Sequence, residues 1–335
     1  MSATFQAYLL DKNEDDDGLS GAVQTVSPDE LPDADTTLQV LHSSINYKDA
    51  LAVTDSAPII RGDTPIAPGI DLVGRVERTD SDRFQIGELV IGTGWGLGEN
   101  VWGGYTEVAH VDSKKLVLLP DGLSGLHAMT IGTAGFTAML AVMALEEHDV
   151  IPGKGEVLVT GASGGAGSMA VAILSELGFD VVASTGSEDA HGYLTDLGAS
   201  RIIHRDELSG GPERAMESGQ WAGAVDAVGG DTLATIIAQL KRHASVASFG
   251  NAGGHTLNTT VFPFILRGVN LLGIDSNTCP TSRRVVAWER MSGILPPETI
   301  DKMVDSIVRL GEIEAAAQKI MDGGITGRVV VRVSE

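Results

Sequence analysis

The residues with the most chemical content lie in one short run, Glu156-Val157-Leu158-Val159-Thr160-Gly161-Ala162-Ser163-Gly164-Gly165-Ala166-Gly167-Ser168-Met169-Ala170-Val171. Val157–Val159 are apolar and mostly β-branched, as a buried strand requires. Ala162, Gly164 and Gly167 hold the three positions of a dinucleotide-binding turn, with Ala in place of the first Gly. Such a turn must be tight, must let the backbone approach a pyrophosphate, and must let the next helix pack close to the strand. Amides at the start of that helix then face the anion, favoured by the helix dipole. The same run also spells the nucleophile elbow of a serine hydrolase, Gly161-Ala162-Ser163-Gly164-Gly165, with Asp226 and His255 in the right chain order for a triad. Gly165 and Gly167 add nothing to a hydrolase and are what a phosphate turn needs, so the nucleotide reading is preferred.

The turn has to sit in a sheet. Strand-like runs follow it at Asp180–Ser184, Arg201–His204, Ala224–Val228, Ser245–Phe249 and Asn270–Ile274. Helix-like segments at Ser168–Leu177, Glu188–Leu197 and Asp231–Leu240 separate most of them. Strand and helix in alternation predict an α/β fold with a Rossmann-type, doubly wound parallel sheet. Before the turn the chain is β-rich, with strands predicted at Phe5–Leu10, Thr37–Ser43, Leu72–Arg78, Glu88–Gly92, Tyr105–Val111 and Leu116–Leu119, and a charged turn at Glu14–Gly18. Frequent Pro and Gly between these strands predict a compact barrel-like lobe. Gly132–Leu145 is apolar nearly all round and reads as a buried helix. Helices are expected at Arg283–Met291, Pro297–Leu310 and Ile313–Ile320, then a last strand within Ile325–Val333 that returns to the first lobe. The domains so drawn are residues 1–125, completed by 311–335, and residues 126–310.

Composition narrows the partners. The chain has 335 residues and a formal net charge of −22, which argues against nucleic acid or an anionic membrane as partner. Arg outnumbers Lys. A diffuse acidic surface poor in Lys fits a salt-adapted cytoplasm, and equally an ordinary acidic enzyme. Cys279 is the single cysteine, so no disulfide forms within the chain. Met1–Leu10 lacks the basic start and apolar core of a signal peptide, and no apolar run approaches a membrane span. A cytoplasmic location is expected. The histidines are scattered without an H-x-x-x-H pair, and one cysteine makes no thiolate site, so no metal is expected.

Several stretches resemble the medium-chain dehydrogenase/reductase superfamily, and within it the zinc-free, quinone oxidoreductase-like, acrylyl-CoA reductase (YhdH-type) branch. They are Ser44-Ile45-Asn46-Tyr47-Lys48-Asp49-Ala50-Leu51, Pro68-Gly69-Ile70-Asp71-Leu72-Val73-Gly74, Gly94-Trp95-Gly96-Leu97-Gly98-Glu99-Asn100-Val101-Trp102-Gly103-Gly104, Ile131–Leu140 and Pro263–Val269. The likeness covers nearly the whole chain, and the tryptophan-glycine stretch is specific to the branch. It implies a GroES-like first lobe, NADPH as cofactor, reduction of a conjugated double bond without metal, and a homodimer. The cofactor contacts it implies are Tyr47, Ser163, Gly164, Gly165, Ala166, Thr185, Gly186, Ser187, Arg205, Asn251, Ile265 and Ser276, beside Gly167 of the turn. The branch usually has Arg where this chain has Ser187, which leaves NADH open.

The residues address cofactor choice as well. An NAD-specific turn ends its second strand in Asp or Glu. Here that strand ends Ala183-Ser184-Thr185-Gly186-Ser187, with no carboxylate until Glu188. Arg205, just past the third strand, supplies a cation for a 2′-phosphate, and NADPH is preferred. Hydride delivery to an alkene conjugated with a carbonyl puts negative charge on the carbonyl oxygen, where hydrogen-bond donors stabilise it. A proton donor then completes the reduction. Asn46, Tyr47 and Asp71 are the expected catalytic residues: Tyr47 as proton donor or as a ring stacked on the cofactor, Asn46 orienting, Asp71 positioning Asn46 or capping a turn. The expected reaction is acrylyl-CoA to propionyl-CoA, or another short enoyl-CoA, with quinone reduction as the alternative. Arg61, Arg267, Arg283 and Arg284 are candidates for a basic patch toward the CoA anion.

Overall fold

Alternating apolar residues pair Phe5–Lys12 (β1) with Leu19–Val26 (β2) in antiparallel register, Phe5 opposite Val26. The computed structural model describes residues 4–13 and 18–334. Of the predicted charged turn, Glu14–Asp17 lie outside the described residues. Strand β2 is an addition to the sequence reading; its residues are largely exposed, and its apolar residues, Leu19, Ala22, Val23 and Val26, follow no strict alternation.

The chain continues through β3 (Thr36–Ile45), α1 (Tyr47–Val53), β4 (Asp71–Thr79), β5 (Leu89–Thr93), β6 (Val108–Val111), β7 (Leu116–Leu118) and α2 (Gly125–Glu146). Then follow β8 (Val157–Val159), α3 (Gly165–Glu176), β9 (Val181–Thr185), α4 (His191–Asp196), β10 (Arg201–His204), β11 (Trp221–Asp226), α5 (Gly230–Gln239), β12 (Leu240–Ser248), α6 (Phe262–Arg267) and β13 (Asn270–Gly273). The last elements are α7 (Thr281–Ile294), α8 (Pro297–Lys302), β14 (Val304–Val308), α9 (Ile313–Met321) and β15 (Arg328–Arg332).

Two compact units result, residues 1–133 with 277–335, and residues 134–276. Segment 277–310, assigned from sequence to the nucleotide domain, packs in the first unit instead. In that unit a seven-stranded sheet runs β14-β15-β3-β4-β5-β7, with β6 also paired to β3. Its core includes Leu38, Val40, Leu72, Val76, Leu116, Val329 and Val331. The predicted helix Pro297–Leu310 stops at Lys302, and Val304–Val308 forms β14, parallel to β15. Val304, Ile307 and Val308 are β-branched and pair better in a ladder than they propagate a helix.

In the second unit the parallel sheet has the order β10-β9-β8-β11-β12-β13. The chain leaves β8 toward one edge and returns beside it at β11, which makes the β8/β11 boundary the topological switch point. Leu158, Val182, Ala224, Val246, Ile236 and Ile237 form its core.

Helix α2 starts at Gly125, not at the predicted Gly132, and breaks at Gly132, whose φ of 49° is left-handed. At 22 residues it is long and apolar enough by composition to cross a bilayer, which the sequence reading missed. Its most apolar stretch is 94% buried in protein, as a core helix should be.

Candidate functional site

The end of β8 and the start of α3 build the turn. Gly161 takes the left-handed conformation, with φ 59°. Ala162 needs no such freedom and is fully buried, which is why Ala is accepted at the first fingerprint position. A Cβ on Gly167 would lie 2.1 Å from the Gly161 carbonyl oxygen, so only glycine lets the helix come this close to the strand. Gly164 is the N-cap of α3. The backbone N–H groups of Gly165, Ala166 and Gly167 donate to no partner among the described residues; the first amide of this helix to be bonded is Ser168, to Gly164 O at 2.9 Å. Three open donors at a helix N-terminus at the switch point are a receptor for an anion.

Beside the turn lies a cavity of about 350 Å³ whose walls include Ser163, Thr185, Gly186, Arg205, Asp206 and Ser209. Ser163 Oγ and Thr185 Oγ1 are 3.0 Å apart, and Ser187 N–H donates to Thr185 Oγ1 at 3.1 Å. Arg205 lies across Gly186: a Cβ there would come within 2.5 Å of its Nε. The Arg205 guanidinium has no hydrogen bond or ion pair among the described residues. The Asp206 carboxylate lies 3.3 Å from His204 Nδ1.

Asp226, at the end of β11, is fully buried and accepts from Thr160 Oγ1 (2.7 Å), Val228 N (3.2 Å), Gly229 N (3.0 Å) and Ser248 Oγ (3.0 Å). It ties together the ends of the three central strands. Both its oxygens are taken, so it orients no histidine, and the triad of Ser163, Asp226 and His255 is set aside.

The first unit holds the other predicted residues. Asn46 is the N-cap of α1, and Tyr47 is its first residue. Asp71, 0% exposed, accepts at Oδ2 from Ser44 Oγ (2.6 Å), Asn46 Nδ2 (2.8 Å) and Thr133 N (2.9 Å), and at Oδ1 from Thr133 Oγ1 (2.5 Å). Arg328 Nη2 stands 3.9 Å from Asp71 and donates to Ser44 Oγ at 2.9 Å. The break at Gly132 makes this possible, because it frees the Thr133 amide; a Cβ on Gly132 would meet Asp71 Oδ2 at 2.5 Å. Asn46 also bonds Asp49 Oδ2 through its backbone N (2.8 Å) and Nδ2 (3.0 Å). Burial first, and the neighbouring Asp71 second, push the Asp49 carboxyl up to about 7. Tyr47, by contrast, is 57% exposed and its hydroxyl has no partner among the described residues.

Residues 165–292 match the zinc-binding dehydrogenase family, and residues 32–121 match the alcohol dehydrogenase GroES-like domain. The acrylyl-CoA reductase AcuI of Ruegeria pomeroyi is 47% identical over 98% of this chain and 99% of its own. The chain belongs to the medium-chain dehydrogenase/reductase superfamily. The yhdH oxidoreductase of Salmonella enterica, solved in complex with NADP, superposes with a TM-score of 0.95 at 46% identity, covering 98% of this chain and 100% of that one. The Bacillus subtilis protein yhfP, solved with NAD bound, gives a TM-score of 0.94 at 45% identity over 99% and 100%. The curated sequence of YhfP is described as a putative quinone oxidoreductase and is 46% identical over 99% of this chain and 100% of its own. The expected GroES-like lobe, Rossmann-type sheet and reductase-branch resemblance are thereby borne out.

Zinc, which the domain family's description implies, does not fit this superfamily member: among the described residues no three His, Cys, Asp or Glu side chains group to hold a metal ion. A dinucleotide does fit, with open amides for the pyrophosphate and a lone guanidinium beside a hydroxyl-lined cavity. The structure brings Ser163, Thr185, Gly186 and Arg205 together at that cavity, with Gly164–Gly167 at the helix start and Ser187 one residue past Gly186. Asn251, Ile265 and Ser276 lie outside its walls; Ile265 is 68% exposed on α6.

Three of the four arginines expected in a basic patch are engaged within the protein instead. Arg284 is 1% exposed and donates to Cys279 O, Thr93 O and Oγ1, and Asn277 O, with its guanidinium over the Trp95 ring. Arg267 is bound to the carbonyls of Ala238, Leu240 and Glu217. Arg61 is paired with the buried Glu99, which also holds Lys48 at 3.1 Å. These cations hold structure. Sequence reasoning missed Asp49, Ser44, Thr133 and Arg328 around Asp71, and Asp206 and Ser209 in the cavity. The signal for Asp49 was present, since it stands three residues after Asn46, the spacing of a capping box.

Proposed function

We propose that this protein reduces an activated carbon–carbon double bond with NADPH, and that its substrate is a short 2-enoyl-CoA, acrylyl-CoA giving propionyl-CoA. The observation that carries the reading is the 47% identity with an acrylyl-CoA reductase over essentially the whole of both chains. The amides of Gly165, Ala166 and Gly167 hold the pyrophosphate and Arg205 the 2′-phosphate. NADPH, when bound, supplies a hydride.

The residues of the first unit serve the proton side. Negative charge that builds on the thioester carbonyl oxygen needs donors, and the α-carbon needs a proton. Tyr47 is the proposed proton donor, because its hydroxyl is exposed and uncommitted. Asn46 and Asp71 are positioning residues: their hydrogen bonds are used in fixing the start of α1, on which Tyr47 sits. The proposal extends to a cytoplasmic homodimer joined along β13, the edge strand of the parallel sheet.

A second reading, quinone reduction, is favoured by the likeness to YhfP. Oxidation of NADPH followed at 340 nm with acrylyl-CoA and with a soluble quinone separates the two. Turnover at least tenfold faster on the thioester is expected; the reverse order overturns the substrate assignment.

A further inference from the structure

A cavity that takes a 2′-phosphate ought to present cations only, and this one does not. Arg205 and Asp206 are adjacent, and both line it. They stand on a single turn of 3-10 helix, Arg205–Leu208, that follows β10. His204 is the N-cap of that turn: its Nδ1 accepts from Asp206 N at 3.4 Å, and its own N–H donates to Glu207 Oε1 at 3.1 Å. The Asp206 carboxylate lies 3.3 Å from the same Nδ1. Both charges are therefore presented from a fixed piece of backbone, while Gly186 leaves room for Arg205 to lie flat across the end of β9.

The two side chains suit different ligands. A guanidinium binds a phosphate dianion with two parallel donors. A carboxylate repels that dianion but accepts a hydrogen bond from a free ribose 2′-hydroxyl, which is the role of the acid that NAD-binding turns carry at the end of the second strand. That strand ends here in Thr185, Gly186 and Ser187, without an acid. Asp206 brings one to the same cavity from the third strand.

Resting on the dinucleotide reading above, we infer that Asp206 is a specificity-determining residue: it admits NADH to a site where Arg205 favours NADPH, so that the protein accepts both nucleotides. Asp206 contacts the ribose end of the cofactor and takes no part in the chemical step. Its side chain is 73% exposed, so solvent screening keeps its effect modest.

The test is direct binding of NADPH and NADH, by calorimetry or quenching of tryptophan fluorescence, to the wild type and to Asp206→Asn. Asn keeps the shape and removes the charge. The expected result is NADPH tighter and NADH weaker, each by about three- to fivefold, so that the ratio of the two dissociation constants moves about tenfold. Asp206→Ser serves as a second variant should the first fold poorly, with the same direction expected. Equal changes for both nucleotides, or none, overturn the inference and leave the dinucleotide site standing. A wild type that binds neither nucleotide overturns both.

Discussion

In the first unit the polar groups of Asp71, Asp49, Asn46 and Arg328 are bonded within the protein, Arg328 through Ser44 Oγ and Thr130 O, with Asp71 0% and Asp49 1% exposed. In the second unit the amides of Gly165–Gly167 donate to no group among the described residues, and the guanidinium of Arg205 lines the cavity. Both groups are polar, and both stand where chemistry was expected from sequence. The difference separates two kinds of polar residue. Groups whose bonding capacity is used inside the protein hold backbone in place, and groups left open are the ones a ligand can satisfy. Tyr47 falls with the second kind although it stands next to Asn46, which falls with the first.

The strongest challenge to this division is Asp71→Ala. It removes the acceptor for Ser44, Asn46 and two Thr133 donors and leaves Arg328 without its nearest carboxylate, so a loss of about 3–5 kcal/mol is expected in urea unfolding. A loss below about 1 kcal/mol would show that the network is dispensable. Next comes pH. The folded-state value for Asp49, about 7, is above its usual value near 3.8, so the folded chain binds the extra proton between them. Stability from this group is present below about pH 4 and falls as pH rises to 7, by roughly 4 kcal/mol at most. The unfolding midpoint of Asp49→Asn should therefore lose less between pH 5 and pH 8 than that of the wild type; identical slopes would contradict it.

Two smaller effects probe the open groups. Tyr47→Phe should lower kcat on acrylyl-CoA about a hundredfold while leaving the melting temperature within about a degree, since the hydroxyl bonds nothing in the protein. A kcat within twofold of wild type would remove Tyr47 as the proton donor and leave it a stacking ring. Arg205→Ala should weaken NADPH about tenfold and leave NADH nearly unchanged. Equal weakening of both would mean that Arg205 supports the loop and not the phosphate.

The open groups were legible in the sequence, and the closed ones only in part. The nucleotide turn is read from seven neighbouring residues, because a tight bend, an anion and a close helix each demand small residues at fixed spacing. The Asp71 network joins residues 27 positions apart to Ser44 and 62 apart to Thr133, and it depends on a helix break at Gly132. No local pattern encodes such contacts. Arg284 misled for the same reason: an arginine in a charged helix reads as solvated, whereas Thr93, its buried partner, is 191 positions away. Strand β14 was misread because five residues following a short helix continue an apolar rhythm that either element satisfies.

The ladder between β15 and β3, which sets Val329 opposite Ile45, has a consequence for how the polypeptide matures. Residues 134–276 are contiguous and can condense as soon as they leave the ribosome. The seven-stranded sheet cannot: its third strand waits for a neighbour made more than 280 residues later. During synthesis β3 and its neighbours are thus among the last to close, and their strand edges stay available to chaperones, or to misassembly, until β15 has been made.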